Sequence, residues 1–306
     1  MSLNYKILCI DDHPRTIKSK LNQVEQFLKE EGFRPEITLI ENDQDIDKYL
    51  DDPLLDLIVT DYYIRDELNG KQLAENIRGS DKMVEIILYS QKEGTDLYEE
   101  VGTLDGVYIS NREGLEDKIK DVIKITIRRT QNVSNMRGIV ISEAIDIENQ
   151  IEDIILAYYD TKEKELAQEL LSGEGCNELS PKINFLKDVL NVMVAELNED
   201  IQNGGNGKKN KAKEMLKILV PLHSIAKKLN VEVCMPRNML AHVEHVIDGG
   251  KIYLRALKGG YDDILIDSEK CKDIRQSIMK HASNLNNIKA FVPKWHEYKK
   301  KGQKNS

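Results

Sequence analysis

The sequence is poor in features that would place the protein outside the cell or in a membrane. Its 306 residues include only four cysteines, with no C-x-x-C pair and no spacing typical of a zinc site. These cysteines are Cys9, Cys176, Cys234 and Cys271. No apolar run approaches the roughly 20 residues of a membrane-spanning helix, and residues 1–10 are unlike a signal peptide. We therefore expect a cytoplasmic protein in a reducing compartment, without membrane association.

The chain also lacks an excess of positive charge. It carries 44 Lys and Arg against 53 Asp and Glu, a net charge of −9. Residues 1–137 hold 19 basic and 28 acidic side chains, whereas residues 138–306 hold 25 of each. The excess acidity therefore lies in the first half, and a surface that binds nucleic acid is expected in the second half.

The first half alternates segments typical of strands and helices, and the second half is helical almost throughout. Short apolar runs predict strands at residues 6–10, 36–40, 54–60, 84–89 and 106–109. A helix is predicted after each strand, and five such β–α repeats imply a parallel sheet with helices on both faces. We predict an α/β domain over residues 1–127, a helical linker over 128–137 and an all-α bundle over 138–306.

Polar side chains follow several strands of this predicted sheet. Asp11 and Asp12 come directly after the first strand and Asp61 after the third, while Ser90 ends the fourth and Tyr108 lies in the fifth. The carboxyl ends of parallel strands meet at one edge, so we expect the three carboxylates to converge. Their mutual repulsion favours a bound Mg²⁺ ion. The alternative is that they are ordinary solvated loop residues.

Residues 4–127 resemble the receiver domain of bacterial two-component response regulators. The matching segments are CIDDHPR, LIVTDYYIRDELNG, IILYSQ and GVYIS, in family order and spacing. The resemblance implies a flavodoxin-like doubly wound fold in which Asp61 accepts a phosphoryl group from a sensor histidine kinase or a small phosphodonor. It implies Asp12 and Asp61 as direct Mg²⁺ ligands, with Asp11 acting through water. It also implies the Tyr63 main-chain carbonyl as a further ligand, Ser90 as a partner of the phosphoryl group, and Tyr108 as the aromatic side chain that turns inward on activation.

The sequence departs from this family after the fifth strand. The family's lysine, expected three residues after Tyr108, is replaced by Asn111, with Arg112 beside it, and the following proline is absent. That lysine pairs with the phosphoryl charge, so its loss predicts weak or short-lived phosphorylation. Arg112 is a candidate substitute, although a planar guanidinium is not equivalent to an ammonium. The loop after Asp61 is also one residue longer than usual.

Within the second half, residues 139–159 and 185–197 have the apolar spacing of long amphipathic helices. The Gly/Asn/Lys-rich stretch 203–210 predicts a loop. The remaining predicted elements are helices over 213–229 (interrupted at Pro221), 236–246 (starting at Pro236) and 267–288, with a hairpin strand over 251–255.

The segment MPRNMLAHVEH, residues 235–245, contains a candidate catalytic group. On a helix, Asn238 and His242 share a face, and Arg237 lies about 100° around the axis from Asn238. Near a helix N-terminus, the arginine could hold a phosphodiester and the histidine could transfer a proton. No metal is required when the nucleophile is the 2′-hydroxyl of RNA. By itself R-x-x-x-x-H is a weak pattern, and an exposed arginine with a core or capping histidine is the ordinary alternative.

The second half resembles the HEPN superfamily of helical domains. The matching segments are ISEAIDIENQIEDIILAYY, SPKINFLKDVL and RNMLAH, followed by a closing helix. HEPN ribonucleases carry an R-x(4–6)-H motif, usually with a polar residue after the arginine. The resemblance implies that Arg237, Asn238 and His242 form the catalytic group. It also implies a homodimer through the helical half, with one composite, metal-independent site for RNA.

These patterns predict a two-component-type response regulator whose receiver domain controls a dimeric RNA endonuclease, a combination suited to a stress or phage-defence effector. An alternative keeps the receiver and makes the helical half a non-catalytic module for dimerisation or for binding a nucleotide or RNA. A DNA-binding transcription factor is disfavoured, because no helix-turn-helix with a basic recognition helix is evident. A metal site through His242 and His245 lacks a recognisable further ligand.

Overall fold

The computed structural model describes residues 3–41, 46–64, 69–80, 82–90, 97–102, 104–130, 132–159, 161–173, 178–255 and 263–303. The chain divides into two compact units, with the division between Asn135 and Met136. None of the helices in these ranges combines the length and hydropathy needed to cross a membrane.

The first unit is built on a five-stranded parallel sheet, as the apolar runs predict. Its strands are β1 (Asn4–Ile10), β2 (Arg34–Ile40), β3 (Leu55–Asp61), β4 (Glu85–Ser90) and β5 (Val107–Asn111). They pair in the order β2-β1-β3-β4-β5. This is the strand order of flavodoxin-like doubly wound folds. The predicted α/β sheet is confirmed.

Helices pack on both faces of this sheet because alternate residues of each buried strand point to opposite sides. They are α1 (Lys18–Glu30), α2 (Ile46–Leu50), α3 (Gly70–Gly79), α4 (Leu97–Val101) and α5 (Leu115–Thr130), with a 3₁₀ turn at Pro14–Thr16. Cys9 and Val59 belong to the core that also contains residues of α1 and α5. Ile10 and Ile58 belong to the opposite core, with residues of α2, α3 and α4.

The order of the strands creates a switch point between β1 and β3. The chain leaves β1 toward β2 on one side and continues from β3 toward β4 on the other, so the loops after β1 and β3 diverge. In register, Ile10 is level with Thr60, Asp61 with Tyr89, and Ser90 with Asn111. The polar residues that end these strands therefore lie at one edge of the sheet.

The second unit is mainly helical and carries a small antiparallel sheet. Its helices are α6 (Val133–Tyr158), α7 (Thr161–Ser172), α8 (Leu179–Asn203), α9 (Asn206–Ala226), α10 (Met235–His242) and α11 (Ser268–Gln303). Helix α9 packs against both α8 and α11. Strands β6 (Glu244–Asp248), β7 (Lys251–Arg255) and β8 (Ile264–Ile266) pair in that order.

Two sequence-based predictions for this unit are wrong. The stretch 203–210 is not a loop: α9 begins at Asn206, and Gly204 and Gly205 alone separate it from α8. A side chain at Gly204 would bring its Cβ within 2.6 Å of the Asp200 carbonyl oxygen, so the tight connection requires glycine. The helix predicted over 236–246 ends at His242, because Val243 is extended and the residues after it pair with β7.

Helix α7 has no counterpart in the sequence-based prediction, and α9 runs without interruption through Pro221. The buried face of α9, formed by Ala212, Met215, Leu219 and His223, continues on both sides of the proline. Packing of this face offsets the missing backbone hydrogen bond, whose loss together with the steric clash costs about 3 kcal/mol.

Burial makes one carboxyl group of the first unit a source of pH-dependent stability. Asp56 in β3 accepts a hydrogen bond from the Lys6 backbone N–H at 2.8 Å, and burial raises its pKa to about 6. The folded state therefore retains a proton that the unfolded chain releases near pH 4, so stability falls as the pH rises from about 4 to 6.

We expect Asp56→Asn to increase the free energy of unfolding near pH 7 by about 1–3 kcal/mol, because the neutral amide can accept the same bond without a buried charge. Urea denaturation at several pH values measures this, and the gain should disappear below about pH 4. The exposed Asp121 provides a control. An equal gain from Asp121→Asn, or a gain that persists in acid, would contradict the assignment.

Candidate functional site

Three acidic residues meet at the carboxyl edge of the parallel sheet. Asp11 and Asp12 follow the last residue of β1, and Asp61 is the last residue of β3. Ser90 ends the adjacent strand β4. We call the three carboxylates of Asp11, Asp12 and Asp61 the acid edge. The structure places them at the switch point of the fold, where doubly wound proteins bind their ligands.

Asp11 is completely buried, and both of its carboxylate oxygens are engaged. Oδ1 accepts the backbone N–H of His13 at 2.7 Å. Oδ2 accepts the Tyr89 hydroxyl at 2.5 Å and the Arg112 guanidinium at 3.1 Å. Burial, together with the bond to Asp11, raises the pKa of Tyr89, so the phenol remains a neutral donor. Asp11 is therefore held as an internal acceptor.

His13 also joins this cluster, and it was not among the site residues predicted from the sequence. Its Nδ1 lies 2.7 Å from Asp12 Oδ1, and its ring is exposed. One ligand atom from each of Asp11, Asp12 and His13 lies within 4.8 Å of the other two. The signal available in the sequence was its position directly after the Asp pair.

Asp61 is nearly buried, with 7% of its surface exposed. Its Oδ1 accepts the backbone N–H of Tyr63 at 3.0 Å. Burial raises the pKa of Asp61, and the nearby charges of Asp11 and Asp12 add to that increase. The Tyr63 N–H and the Arg112 guanidinium act in the opposite direction. The electrostatic environment of the Asp61 carboxyl group is therefore negative.

The charges at this edge fit a divalent cation. Three carboxylates and the Arg112 guanidinium leave two net negative charges among the described residues at this edge. Both oxygens of Asp11 already accept hydrogen bonds, which favours oxygens of Asp12 and Asp61 as the direct carboxylate ligands. Oxygen ligands of this kind suit Mg²⁺, which is usually bound through one or two carboxylates plus water and phosphate oxygens.

Two of the three other residues predicted for this site, Ser90 and Tyr108, lie on strands β4 and β5. Ser90 is buried at the end of β4. Tyr108 lies in β5, level with Ile87, and is partly buried against the core beneath α1 and α5. The ring of Tyr63, by contrast, is exposed, which leaves the acid edge bordered by an aromatic surface.

The structure separates the roles of Asn111 and Arg112. The Asn111 Oδ1 accepts the backbone N–H of Gly114 at 2.7 Å, so Asn111 holds the turn that leads into α5. Arg112 donates its backbone N–H to the Ser90 carbonyl and directs its guanidinium to Asp11. The cation of this loop therefore lies one residue after Asn111, the position at which the sequence resemblance leads one to expect a lysine.

A glycine supports the end of β3. A Cβ at Gly70 would lie 3.0 Å from both the Asp61 carbonyl oxygen and the Tyr62 Cα. The Gly70 N–H donates to the Tyr62 carbonyl at 2.9 Å. This close approach sets the backbone around Asp61, and only glycine accommodates it without a shift.

In the second unit, the predicted catalytic residues lie on the short helix α10. Asn238 and His242 are exposed, and Arg237 is half-buried. The Arg237 Nη1 donates to the Asn238 Oδ1 at 2.9 Å. This bond draws the guanidinium toward the helix face that Asn238 shares with His242.

The start of α10 differs from the prediction. A π-helical segment, Asn230–Cys234, runs directly into α10, and Cys234 has helical dihedral angles. The Met235 N–H donates to the Asn230 carbonyl, so α10 has no free N-terminus at Pro236 to attract an anion. The wide π turn lets a helix pass through a proline that has no N–H to donate.

The π-helical segment is tied to α11 through a buried histidine. His281 is completely buried, and its Nε2 lies 2.8 Å from Glu232 Oε2, which also accepts Lys280 Nζ at 2.8 Å. Burial lowers the pKa of His281, whereas Glu232 opposes the decrease. The sequence offered no signal for this contact, because 49 residues separate its partners.

Two glutamates of α6 are engaged by the neighbouring helix α8. Glu148 and Glu152 both pair with the buried Lys182 of α8. Glu143 is itself buried. His245 lies in strand β6 and is paired with Leu254 of β7. The segment HVEH, residues 242–245, therefore does not form one helical turn.

A cavity of about 520 Å³ lies between α6, α8 and α11, away from α10. Its walls include Tyr158, Tyr159, Asp188 and Trp295, the single tryptophan of the chain. Trp295 is buried and stacks on Tyr298 with ring centroids 6.0 Å apart.

No protein-family model and no curated protein sequence matches the chain. The chain is similar to the crystal structure of a response regulator receiver domain protein from Clostridium thermocellum, with 18% identity and a TM-score of 0.31, over 41% of this chain and 96% of that one. It is also similar to full-length FixJ from B. japonicum, with 15% identity and a TM-score of 0.33. That similarity covers 60% of this chain and 97% of the FixJ chain. The fold of the first unit is defined by its own strand order and register.

We expect Glu232→Ala to loosen the π-helical segment, because it leaves a buried His281 nitrogen without its partner. The free energy of unfolding of the second unit should fall by about 1–3 kcal/mol, and hydrogen exchange should accelerate across the amides of residues 230–242. Asp153→Ala is a matched control, since it removes the exposed ion pair between Asp153 and Lys289. That variant should lose less than about 0.5 kcal/mol. Equal effects from the two variants would contradict the anchoring role.

Proposed function

We propose that the first unit is a Mg²⁺-dependent phosphoacceptor domain of the response-regulator type, with Asp61 as the phosphoacceptor. The observation that carries this proposal is the acid edge at the switch point. Asp61 lies there at the end of β3, where the charges of Asp11 and Asp12 act on it. Sheet topology alone does not define function, whereas this group of carboxylates has a specific chemistry.

Asp12 and Asp61 would hold the ion, together with the main-chain carbonyl of Tyr63. Asp11 would contribute through water, because its oxygens already accept three donors. Bound Mg²⁺ would neutralise the phosphoryl oxygens as negative charge develops on them.

In the proposed transfer, a carboxylate oxygen of Asp61 attacks phosphorus. The bond from phosphorus to the donor breaks, and its electron pair leaves with the donor. The donor is a phosphohistidine of a sensor kinase or a small phosphodonor. The Ser90 hydroxyl would then donate a hydrogen bond to a phosphoryl oxygen, and Tyr108 would turn inward behind it.

We expect Asp61→Asn to abolish Mg²⁺-dependent incorporation of a phosphoryl group from acetyl phosphate, because an amide is not a nucleophile for phosphorus. Intact mass spectrometry measures the added group. Asp56→Asn provides a control, since Asp56 lies near the opposite end of the same strand. Asn111→Lys, which restores the family's lysine, should lengthen the lifetime of the phosphoryl group. Equal labelling of wild type and Asp61→Asn would refute the assignment.

For the second unit, we propose a HEPN-like, metal-independent RNA endonuclease that the first unit regulates. The support is the Arg237–Asn238 hydrogen bond and the exposed His242 on the same short helix. An arginine that can hold a phosphodiester and an imidazole that can transfer a proton are thus carried on one short helix.

In the proposed cleavage, His242 removes the proton from the 2′-hydroxyl of RNA, whose oxygen then attacks the adjacent phosphorus. The bond to the 5′-oxygen breaks, and that oxygen leaves with the electron pair and takes up a proton from water. The products are a 2′,3′-cyclic phosphate and a 5′-hydroxyl end, and His242 returns its proton to the solvent. Arg237 neutralises the phosphate, and Asn238 orients the guanidinium. DNA lacks the 2′-hydroxyl and should resist cleavage.

The proposed enzyme is a homodimer in which two α10 helices form one composite site. Apolar side chains near α10 support this arrangement, because Val231 is 64% exposed and Met235 is 45% exposed. Exposed apolar area next to a polar group is typical of a surface that a partner covers.

We expect His242→Ala to reduce metal-independent RNA cleavage by about 10²–10⁴-fold, the usual contribution of general acid–base catalysis. The assay contains EDTA, and light scattering of the same samples measures the dimer. His245→Ala is the control, since His245 is exposed on the adjacent strand β6. Mixed dimers of Arg237→Ala and His242→Ala chains should regain part of the activity. Full activity of His242→Ala, or cleavage abolished by EDTA, would overturn the mechanism.

A further inference from the structure

The Arg112 guanidinium connects two loops at the acid edge. Its Nη2 lies 3.1 Å from Asp11 Oδ2 and 2.6 Å from Thr16 Oγ1. Thr16 belongs to the 3₁₀ turn after β1, and its hydroxyl donates to the His13 carbonyl at 2.6 Å. One cationic side chain from the loop after β5 therefore holds the segment that carries Asp11 and Asp12.

This contact is electrostatically strong because water is largely excluded from it. The Asp11 side chain is fully buried, and 16% of the Arg112 side chain is exposed. A buried carboxylate is stable only when paired and hydrogen-bonded, and removal of its cation leaves an uncompensated charge.

We infer that Arg112 is the resident counter-cation of the acid edge and compensates its charge when no metal is bound. A metal ion that enters must then share the carboxylates with a positive charge already in place. Arg112 therefore has two effects: it keeps the metal-free first unit folded, and it weakens the binding of Mg²⁺. The second effect rests on the magnesium site of the proposed function, whereas the first does not.

Removal of the Arg112 charge should lower the stability of the metal-free first unit and raise its affinity for Mg²⁺. Arg112→Ala should lower the melting temperature of the metal-free first unit by about 10 °C. It should also increase the affinity for Mg²⁺ by about tenfold or more, because a nearby positive charge is lost. Arg112→Lys keeps the charge and should stay within a few-fold of wild type in Mg²⁺ affinity.

Lys20→Ala is a matched control for the connection between the same segments. Lys20 Nζ donates to the Glu113 carbonyl at 3.0 Å, so it links α1 to the loop after β5 without an ion pair to the acid edge. This variant should leave the affinity for Mg²⁺ unchanged and lower the melting temperature by less than Arg112→Ala.

The experiment uses the full chain in EDTA and then with added MgCl₂. Isothermal titration calorimetry measures the affinity, and hydrogen exchange of peptides from β1 and β3 follows thermal unfolding of the first unit. Equal melting temperatures of Arg112→Ala and Lys20→Ala in EDTA would overturn the inference. Measurable binding to wild type that Arg112→Ala does not tighten would also overturn it. If no variant binds Mg²⁺, the magnesium site fails, and the melting temperatures in EDTA alone decide the role of Arg112.

Discussion

The buried negative charge of Asp11 is the constraint on which the functional end of the first unit depends. A carboxylate with no exposed surface needs donors on both oxygens, and here they come from three parts of the chain. Tyr89 supplies a hydroxyl from β4, His13 a backbone N–H, and Arg112 a guanidinium from the loop after β5. Because all three must reach one side chain, the ends of three strands are held in a single arrangement, and Asp61 is placed among them.

The second unit meets the same problem of buried polar groups with contacts between helices. Lys182 of α8 is paired with two glutamates of α6, and His281 of α11 is bonded to Glu232 of the π-helical segment. A buried ion pair adds little net stability over apolar packing, but breaking one is costly. These pairs therefore favour one alignment of the helices, and the Glu232 contact extends that alignment to the helix that carries Arg237.

Much of the first unit could be predicted from the sequence, because its information is local. Continuous apolar runs gave the strands, and acidic residues at their ends gave the convergence around Asp61. The contact of Arg112 with Asp11 could not be predicted in this way, since 101 residues separate the partners and the family pattern directs attention to Asn111. In the second unit, Pro221 and Pro236 were interpreted as helix boundaries. Proline disfavours a helix only locally, and the packing of a long apolar face or a wide π turn can outweigh it.

The position of the single tryptophan has an optical consequence. Trp295 is buried in α11 beside Tyr298, and the first unit contains tyrosines but no tryptophan. Excitation at the red edge of the indole band therefore reports on the helical unit alone, without any label. A change in the emission of Trp295 when the acid edge is chemically modified would be a direct spectroscopic signal that the two units communicate, and the emission can be followed in real time.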